Sequence, residues 1–567
     1  MNKIRPVILT LATVLIAFLA YGFLTQPGPQ PLESSGFSSA RVVEDLKVIS
    51  ADNHSVIHPE NRAVVRDFLA GRLEELGAEP VLYHYDSLEA RGMTFDVTNI
   101  LAEFPPKKEM SDTTYLMLVA HYDSRYSEPF LKDTTECSYG AADDGYGIGV
   151  ILECVNQTLK SREYWHQGIK VLFTDAEEPG MWGMKSIYEN NHEVFDNVGL
   201  LINVEARGPW GPALLFETGT GNSKVMDLYS KEAKSPYTYS LTTTVYKIMP
   251  NFTDFSVVKD EIPGLNFSTV ADINHYHNEL DNIDNISEKS IQHYGAQILP
   301  VVNKYITSED YAKTDALVSN EDSIFYTVPG LGLIKYSNKT NIILGIIFAI
   351  LTILLIVFET LRGKVTLDKV GANFLTILLA GVFVFGVGEL VAYISAVAAG
   401  VPFRLFGTVR GIMGDNIIML VSVIVVIIIA MIVYLKFRSD AIKVAQNSMR
   451  ASAAIMAIRR HAYRSLYGVM LLFALLEVIL LFVIGDNFMF FVPLFMAFLG
   501  ILMYNMTKCK FFLLAGMAFI MLHAFSFYYA LAMALTIGAL GAILMLAFFD
   551  IMLLIPMADL YLTSDKR

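Results

Sequence analysis

Long, uninterrupted apolar runs constrain this chain more than any other feature, because only a bilayer can cover them. Such runs lie near 6–24, 341–360, 372–398, 416–435, 466–485, 488–506, 511–529 and 532–556. Runs of this length suit a ~30 Å hydrocarbon core, and each is expected to be helical because lipid offers backbone N–H and C=O groups no partner. Eight passes are expected, one at the start and seven in 341–567. The first run follows Lys3 and Arg5. It is longer than the ~7–15 apolar residues of a cleaved signal, and Thr25-Gln26-Pro27 is a poor cleavage site, so it reads as an uncleaved anchor.

Charge separates the remainder from these runs. Residues 341–567 hold 16 Lys/Arg and 10 Asp/Glu, whereas 26–340 hold 25 and 46, a net of −21. An acidic, ordinarily composed segment therefore sits between two hydrophobic ones, and the overall charge of −13 argues against nucleic acid as a partner. Three cysteines, Cys137, Cys154 and Cys509, are too few for a disulfide scaffold and are expected as free thiols. Basic loops tend to stay cytoplasmic. Arg362, Lys364 and Lys369, the loop 436–465 with Arg438, Arg450 and Arg459, Lys508 with Lys510, and the terminal Lys566-Arg567 all fall on one side if the N-terminus is cytoplasmic. The acidic segment then lies outside. Glu359, Glu389, Glu477, His523 and Asp550 fall within or beside the runs; interhelical hydrogen bonding is the expected reading, with a polar pathway as the alternative.

Between 38 and 310 the pattern becomes that of an α/β domain, with 26–37 as a linker and 311–340 as a connector. Residues 60–76 carry Val64, Val65, Phe68, Leu69, Leu73 and Leu76 at helical spacing, with Pro59 suited to the first turn and Gly77 to the stop. Short apolar runs follow at 97–104, 115–120, 169–174, 198–204 and 265–268, separated by helix-like stretches such as 145–159. This alternation predicts a mixed, mainly parallel sheet flanked by helices. Sheets of this kind gather ligands at the carboxyl ends of their strands.

The residues at those ends are the informative ones. His121-Tyr122-Asp123-Ser124 follows one run, Asp175-Ala176-Glu177-Glu178 another, Glu205 a third, and His275-Tyr276-His277 with Asp281 a fourth; Asp143-Asp144 precedes a helix. Each alone reads as capping or solvated polarity. Together they make a His/Asp/Glu set that zinc or another transition metal accepts. No HExxH motif is present, which excludes a single-helix zincin site.

These motifs, with Gly140-Ala141-Ala142-Asp143-Asp144-Gly145, Asn203-Val204-Glu205-Ala206-Arg207 and Tyr276-His277-Asn278-Glu279-Leu280-Asp281, resemble the co-catalytic di-zinc aminopeptidases of clan MH. The resemblance is closer to their membrane-embedded branch, which includes the endoplasmic-reticulum metallopeptidase and the fungal vacuolar membrane protease. It implies His121 and Glu205 on one metal, Glu178 and His277 on the other, and Asp143 bridging them. Asp123 would orient His121, and Glu177 would serve as general base. Many soluble relatives have Asp where this chain has Glu205, whereas membrane relatives resemble this chain in using Glu. His275 competes with His277 for the last ligand position. Thr253-Asp254-Phe255 resembles a substrate-side loop, placing Asp254 near bound peptide. The resemblance further implies two divalent ions, zinc foremost, peptide substrates hydrolysed at the N-terminus outside the cytoplasm, and contact of the apolar half with lipid or a membrane partner. A catalytically inactive scaffold or a transporter accessory domain is the competing reading, disfavoured because every ligand and Glu177 are retained.

Overall fold

In the computed structural model, which describes residues 4–108, 112–126, 137–248, 251–412, 414–446 and 451–563, seven strands form one sheet. They are β1 (Val81–Ala90), β2 (Met93–Phe104), β3 (Tyr115–His121), β4 (Gly168–Thr174), β5 (Val198–Ala206), β6 (Leu214–Thr218) and β7 (Gly264–Thr269). Their order is β1-β2-β4-β3-β5-β7-β6. The central four, β4-β3-β5-β7, run parallel, and the outer strands pair antiparallel. β3, β4, β5 and β7 are buried along their whole length, which is why they read as unbroken apolar runs rather than alternating ones. The fold is the expected mixed sheet with a parallel centre.

Helices cover the faces. Pro59–Glu75 starts on proline at its first turn, and Gly145–Thr158 is capped by Asp144, whose side chain accepts from the Gly147 N–H. Glu288–Thr307 buries Ile291, Tyr294, Ile298, Val301 and Tyr305 in one core with Leu116, Leu118 and Ile202 of the sheet. That helix also buries His293. Its Nδ1 accepts from the Ala213 N–H at 3.0 Å and its Nε2 donates to the Ser235 carbonyl at 2.7 Å, an arrangement only the neutral ring can make. Burial lowers its pKa to about 4, outweighing the Ser235 hydrogen bond. The unfolded chain therefore binds the extra proton between about pH 6.5 and 4, and stability falls as pH drops through that window. The loss approaches ~3 kcal/mol as pH falls to the folded-state value of about 4. Denaturant unfolding of wild type and His293→Gln at pH 7 and pH 5 should show the wild type losing more on acidification.

The chain separates into two compact units, one comprising Leu24–Tyr326 and Gly332–Ser337, the other Met1–Phe23, Thr327–Leu331 and Asn338–Arg567. The second unit is helical. Its apolar helices are Arg5–Leu24, Asn338–Leu361, Leu367–Ala399, Asp415–Gln446, Ala451–Val483, Phe488–Thr507, Phe511–Leu535 and Leu540–Thr563. The last two are joined by the single turn Thr536–Ala539 and form one continuous apolar stretch, so among the described residues seven stretches are long and apolar enough to cross a membrane.

The basic segment 436–465 departs from the expected loop. Among the described residues helix covers the segment up to Gln446 and again from Ala451, because Ala, Met, Lys and Arg favour helix and the segment holds no Gly or Pro. Arg450, Lys566 and Arg567 lie outside the described residues. Arg438 is consequently a helix residue, 1% exposed, with Nε 2.7 Å from Asp559 Oδ2 and Nη2 3.1 Å from Oδ1; the Tyr434 hydroxyl donates to the same carboxylate at 2.9 Å. Removing one member of a buried pair strands the other charge. Asp559→Ala should therefore destabilise this unit by about 3–5 kcal/mol, and Arg438→Met with Asp559→Leu should recover most of it; thermal unfolding of the full chain in detergent reads both. Other acids along these helices are bonded between elements. Glu389 accepts from the Gly541 N–H at 3.0 Å, Glu477 from Asn487 at 3.2 Å, Asp550 from the Tyr528 hydroxyl, and Glu359 pairs with Lys364 at 2.7 Å.

Candidate metal centre

The parallel strands deliver their last residues to one end of the sheet. His121 closes β3, Glu205 lies near the end of β5, and the turn after β4 carries Asp175-Ala176-Glu177-Glu178. Asp143 arrives from the loop before the helix Gly145–Thr158, and His277 from the segment after β7. Gly140, at φ +65°, makes that loop possible, since a Cβ there would sit 3.1 Å from the His54 ring and from Ser124 Cβ.

Two groups of potential ligand atoms result, His121–Asp143–Glu205 and Asp143–Glu178–His277, each with its atoms within 4.8 Å of one another. His121 Nε2 lies 3.3 Å from Asp143 Oδ1 and 3.6 Å from Glu205 Oε2. His277 Nε2 lies 3.2 Å from Asp143 Oδ2 and 3.2 Å from Glu178 Oε1. The two oxygens of Asp143 thus face different imidazoles. Asp144, its neighbour, turns instead to the Gly147 N–H at 3.1 Å and the His121 N–H at 3.3 Å. The adjacent acids divide the work of capping a helix and facing the cluster.

The surroundings are arranged around the cluster. His121 Nδ1 bonds the main-chain carbonyl of Asp123 at 2.9 Å, with the Asp123 carboxylate at 3.5 Å. That carboxylate accepts from the Glu177 N–H at 2.8 Å and the Glu178 N–H at 3.2 Å, so Asp123 shapes the Glu177-Glu178 turn as well as the ring of His121. Asp281 accepts from the N–H groups of Ala142 and Asp143 at 2.7 and 3.3 Å and from the Ser138 hydroxyl at 2.9 Å, fixing the Asp143 loop. Burial and the Asp143 charge push its pKa up to about 7. Asp254 is 1% exposed and accepts from the Thr174 hydroxyl at the end of β4; burial is the main cause of its pKa of about 7, with Glu205 adding to it. His275 turns away to Asp272 at 2.8 Å and belongs to neither group. Arg125 holds Glu178 through its carbonyl at 3.0 Å and its carboxylate at 3.2 Å, a contact that no motif announced.

Electrostatics match a site built for cations. Burial alone would lower the His121 pKa, but the carboxylates of Asp123, Asp143 and Glu205 raise it well above the usual value. Burial pushes Glu205 up, and Asp143 adds to it. Burial also pushes Glu177 well up, with Glu205, Asp254 and Glu178 contributing. Asp143 Oδ2 and Glu178 Oε1 are buried without a hydrogen-bond donor, and divalent cations would satisfy them while offsetting the acid repulsion. The donor set of two imidazoles and three carboxylates fits zinc. A third group, His84, Asp86 and Asp96, lies exposed. Among the described residues Cys154, buried, and Cys509, exposed, are free thiols, and Asn266, which begins an Asn-x-Ser sequence, is fully buried in β7.

Residues 99–302 match the model of peptidase family M28. Endoplasmic reticulum metallopeptidase 1 of Mus musculus is 24% identical over 370 residues, covering 65% of this chain and 38% of the mouse protein. The vacuolar membrane protease of Schizosaccharomyces pombe is 26% identical over 284 residues, covering 47% of this chain and 31% of that protein. The chain thus spans less than two fifths of these relatives' length. Among solved structures, a Zn-dependent exopeptidase from Parabacteroides distasonis shares 20% identity at a TM-score of 0.38, covering 47% of this chain and 98% of the other. A glutaminyl cyclase from Bacteroides thetaiotaomicron shares 18% at 0.38, covering 47% and 98%. Both ligand groups, from His121 to His277, fall inside the segment 99–302 that matches the model of peptidase family M28.

Proposed function

We propose that this domain is a two-metal aminopeptidase, held by the apolar helices at a membrane and facing away from the cytoplasm. The observation that carries the reading is the sharing of Asp143 between two imidazole–carboxylate groups. His121, Asp143 and Glu205 would hold one divalent ion, and Asp143, Glu178 and His277 the other. Divalent ions held by these residues would supply Lewis acidity and a water of lowered pKa.

The chain's own residues divide the remaining tasks. Glu177 directly precedes Glu178 in the chain and belongs to neither group, and its N–H is pinned by Asp123. It takes a proton from the attacking water and returns it to the departing amine. Asp123 and Asp281 hold the loops that set those distances. A surplus of carboxylates suits the free α-ammonium of a peptide, which favours removal of N-terminal residues, and Asp254 is the candidate substrate-side residue. The basic residues at helix ends support the outward orientation.

Purified full-length chain loaded with zinc should hydrolyse peptides with a free N-terminus and leave N-acetylated copies of the same peptides intact. Equal cleavage of both would overturn the aminopeptidase reading, and cleavage of neither would overturn the peptidase reading.

A further inference from the structure

Three polar side chains lie in one row across the buried strands beside Glu205. Asn203 of β5 is directly opposite Asn266 of β7, and Asn266 is opposite Glu217 of β6. Their exposures are 0%, 0% and 1%. The row depends on an irregularity. Leu215 pairs with Phe267 and Glu217 with Asn266, so Phe216 is bulged out of register and Glu217 takes the place its ring would hold. Apolar residues would pack such a row at lower cost, because buried polar groups must all find partners.

The partners form a continuous line. Lys259 Nζ donates to Glu217 Oε1 at 2.7 Å. Asn266 Nδ2 donates to Glu217 Oε2 at 3.1 Å and to Thr253 Oγ1 at 2.9 Å. Asn203 Nδ2 donates to Asn266 Oδ1 at 3.0 Å and to Glu205 Oε1 at 3.1 Å. Every step pairs an N–H donor with an oxygen acceptor, Glu217 accepting from both sides and Asn203 donating to both. Reversing the Asn203 amide would set its oxygen against two acceptors, so Asn266 and Glu205 together fix its orientation. The Glu205 oxygen facing His121 is Oε2, the one Asn203 leaves free.

We propose that Asn203, Asn266, Glu217 and Lys259 form a positioning relay that locks the Glu205 carboxylate with Oε2 toward the metal. This rests on reading Glu205 as a metal ligand. Through Thr253 the relay also ties Glu205 to the loop carrying Asp254, whose carboxylate is anchored on Thr174. The ligand and the candidate substrate-side residue are thereby held by one network. Outer partners of metal ligands typically contribute about 10–100-fold to metal affinity.

Polarity provides the test. Asn266→Asp keeps the shape but replaces the donor facing Glu217 with a second acceptor. Adding Glu217→Gln supplies an amide that donates to Asp at 266 and still accepts from Lys259, restoring the line with its charge moved by one residue. Zinc affinity of the full chain is measured by competition with a chelator of known strength, alongside kcat and KM. N266D should weaken one of two zinc sites by about 10–100-fold and lower kcat more than it raises KM, and N266D/E217Q should return affinity to within about 3-fold of wild type. Folded N266D with wild-type zinc affinity, or a double variant no better than the single one, overturns the relay. If N266D does not fold, Lys259→Met decides, since Lys259 sits at the partly exposed end of the line. A weakened site restored by Lys259→Arg supports the relay, and unchanged affinity overturns it. Wild-type chain that binds no zinc would overturn the metal reading and the relay with it; wild-type binding with unaffected variants would overturn the relay alone.

Discussion

Replacing Glu177 by Gln is expected to lower kcat by about 10²–10⁴-fold, the range that general acid–base catalysis contributes, with zinc content and KM close to wild type. The geometry separates these effects. Glu177 belongs to neither ligand group, and the turn that carries it is held by its main-chain N–H on Asp123, so a neutral amide of the same shape leaves the ligands in place. What is lost is the proton carrier. Steady-state kinetics with metal analysis on the same sample checks this, and unaltered turnover would remove Glu177 from the role of base.

Asp143→Asn is expected to act on binding rather than on turnover. Each oxygen of Asp143 faces a different histidine, so the change weakens both sites together, whereas Glu178→Gln or Glu205→Gln removes a ligand from one. A shared ligand should cost more than an outer partner does, hence more than about 100-fold in affinity at each site. Stability should move the opposite way. The Asp143 charge contributes to the raised pKa values of Asp281, Glu205 and Asp144, so without metal Asp143→Asn should unfold at a higher temperature than wild type. Zinc, by binding only the folded state, should reverse the order. Melting curves with zinc and with chelator give both halves.

The parts of this molecule legible in its sequence are those where burial or chemistry leaves a one-dimensional trace. Fully buried parallel strands read as apolar runs, and the helix Gly145–Thr158 announced itself through Asp144 and its glycines. β1 left no such trace, because all of its residues are exposed or only partly buried and its sequence mixes Tyr, His, Asp and Glu. β6 is only five residues long and depends on pairing with β7. The basic helical extension after Ala451 read as loop because charge count and helix propensity point in different directions there.

The metal-centre residues were legible as residue types at strand ends, but their geometry was not. Nothing in the sequence says that His121 is oriented by the Asp123 carbonyl rather than chiefly by its carboxylate. Nor does it say that Arg125 braces Glu178. Asn203 stood inside a quoted motif without a task, since its partners Asn266 and Glu217 lie on strands distant in sequence and meet it only through sheet register. Likewise Arg438 and Asp559 are 121 residues apart, and pair only because two helices pack together.

The central claim is that Asp143 joins two metal sites. An anomalous-difference map at the zinc edge, from crystals of the zinc-saturated full chain, tests it most directly. The expected result is two peaks flanking Asp143, one among His121, Asp143 and Glu205 and one among Asp143, Glu178 and His277. A single peak, or none against Asp143 in protein that holds zinc elsewhere, would contradict it.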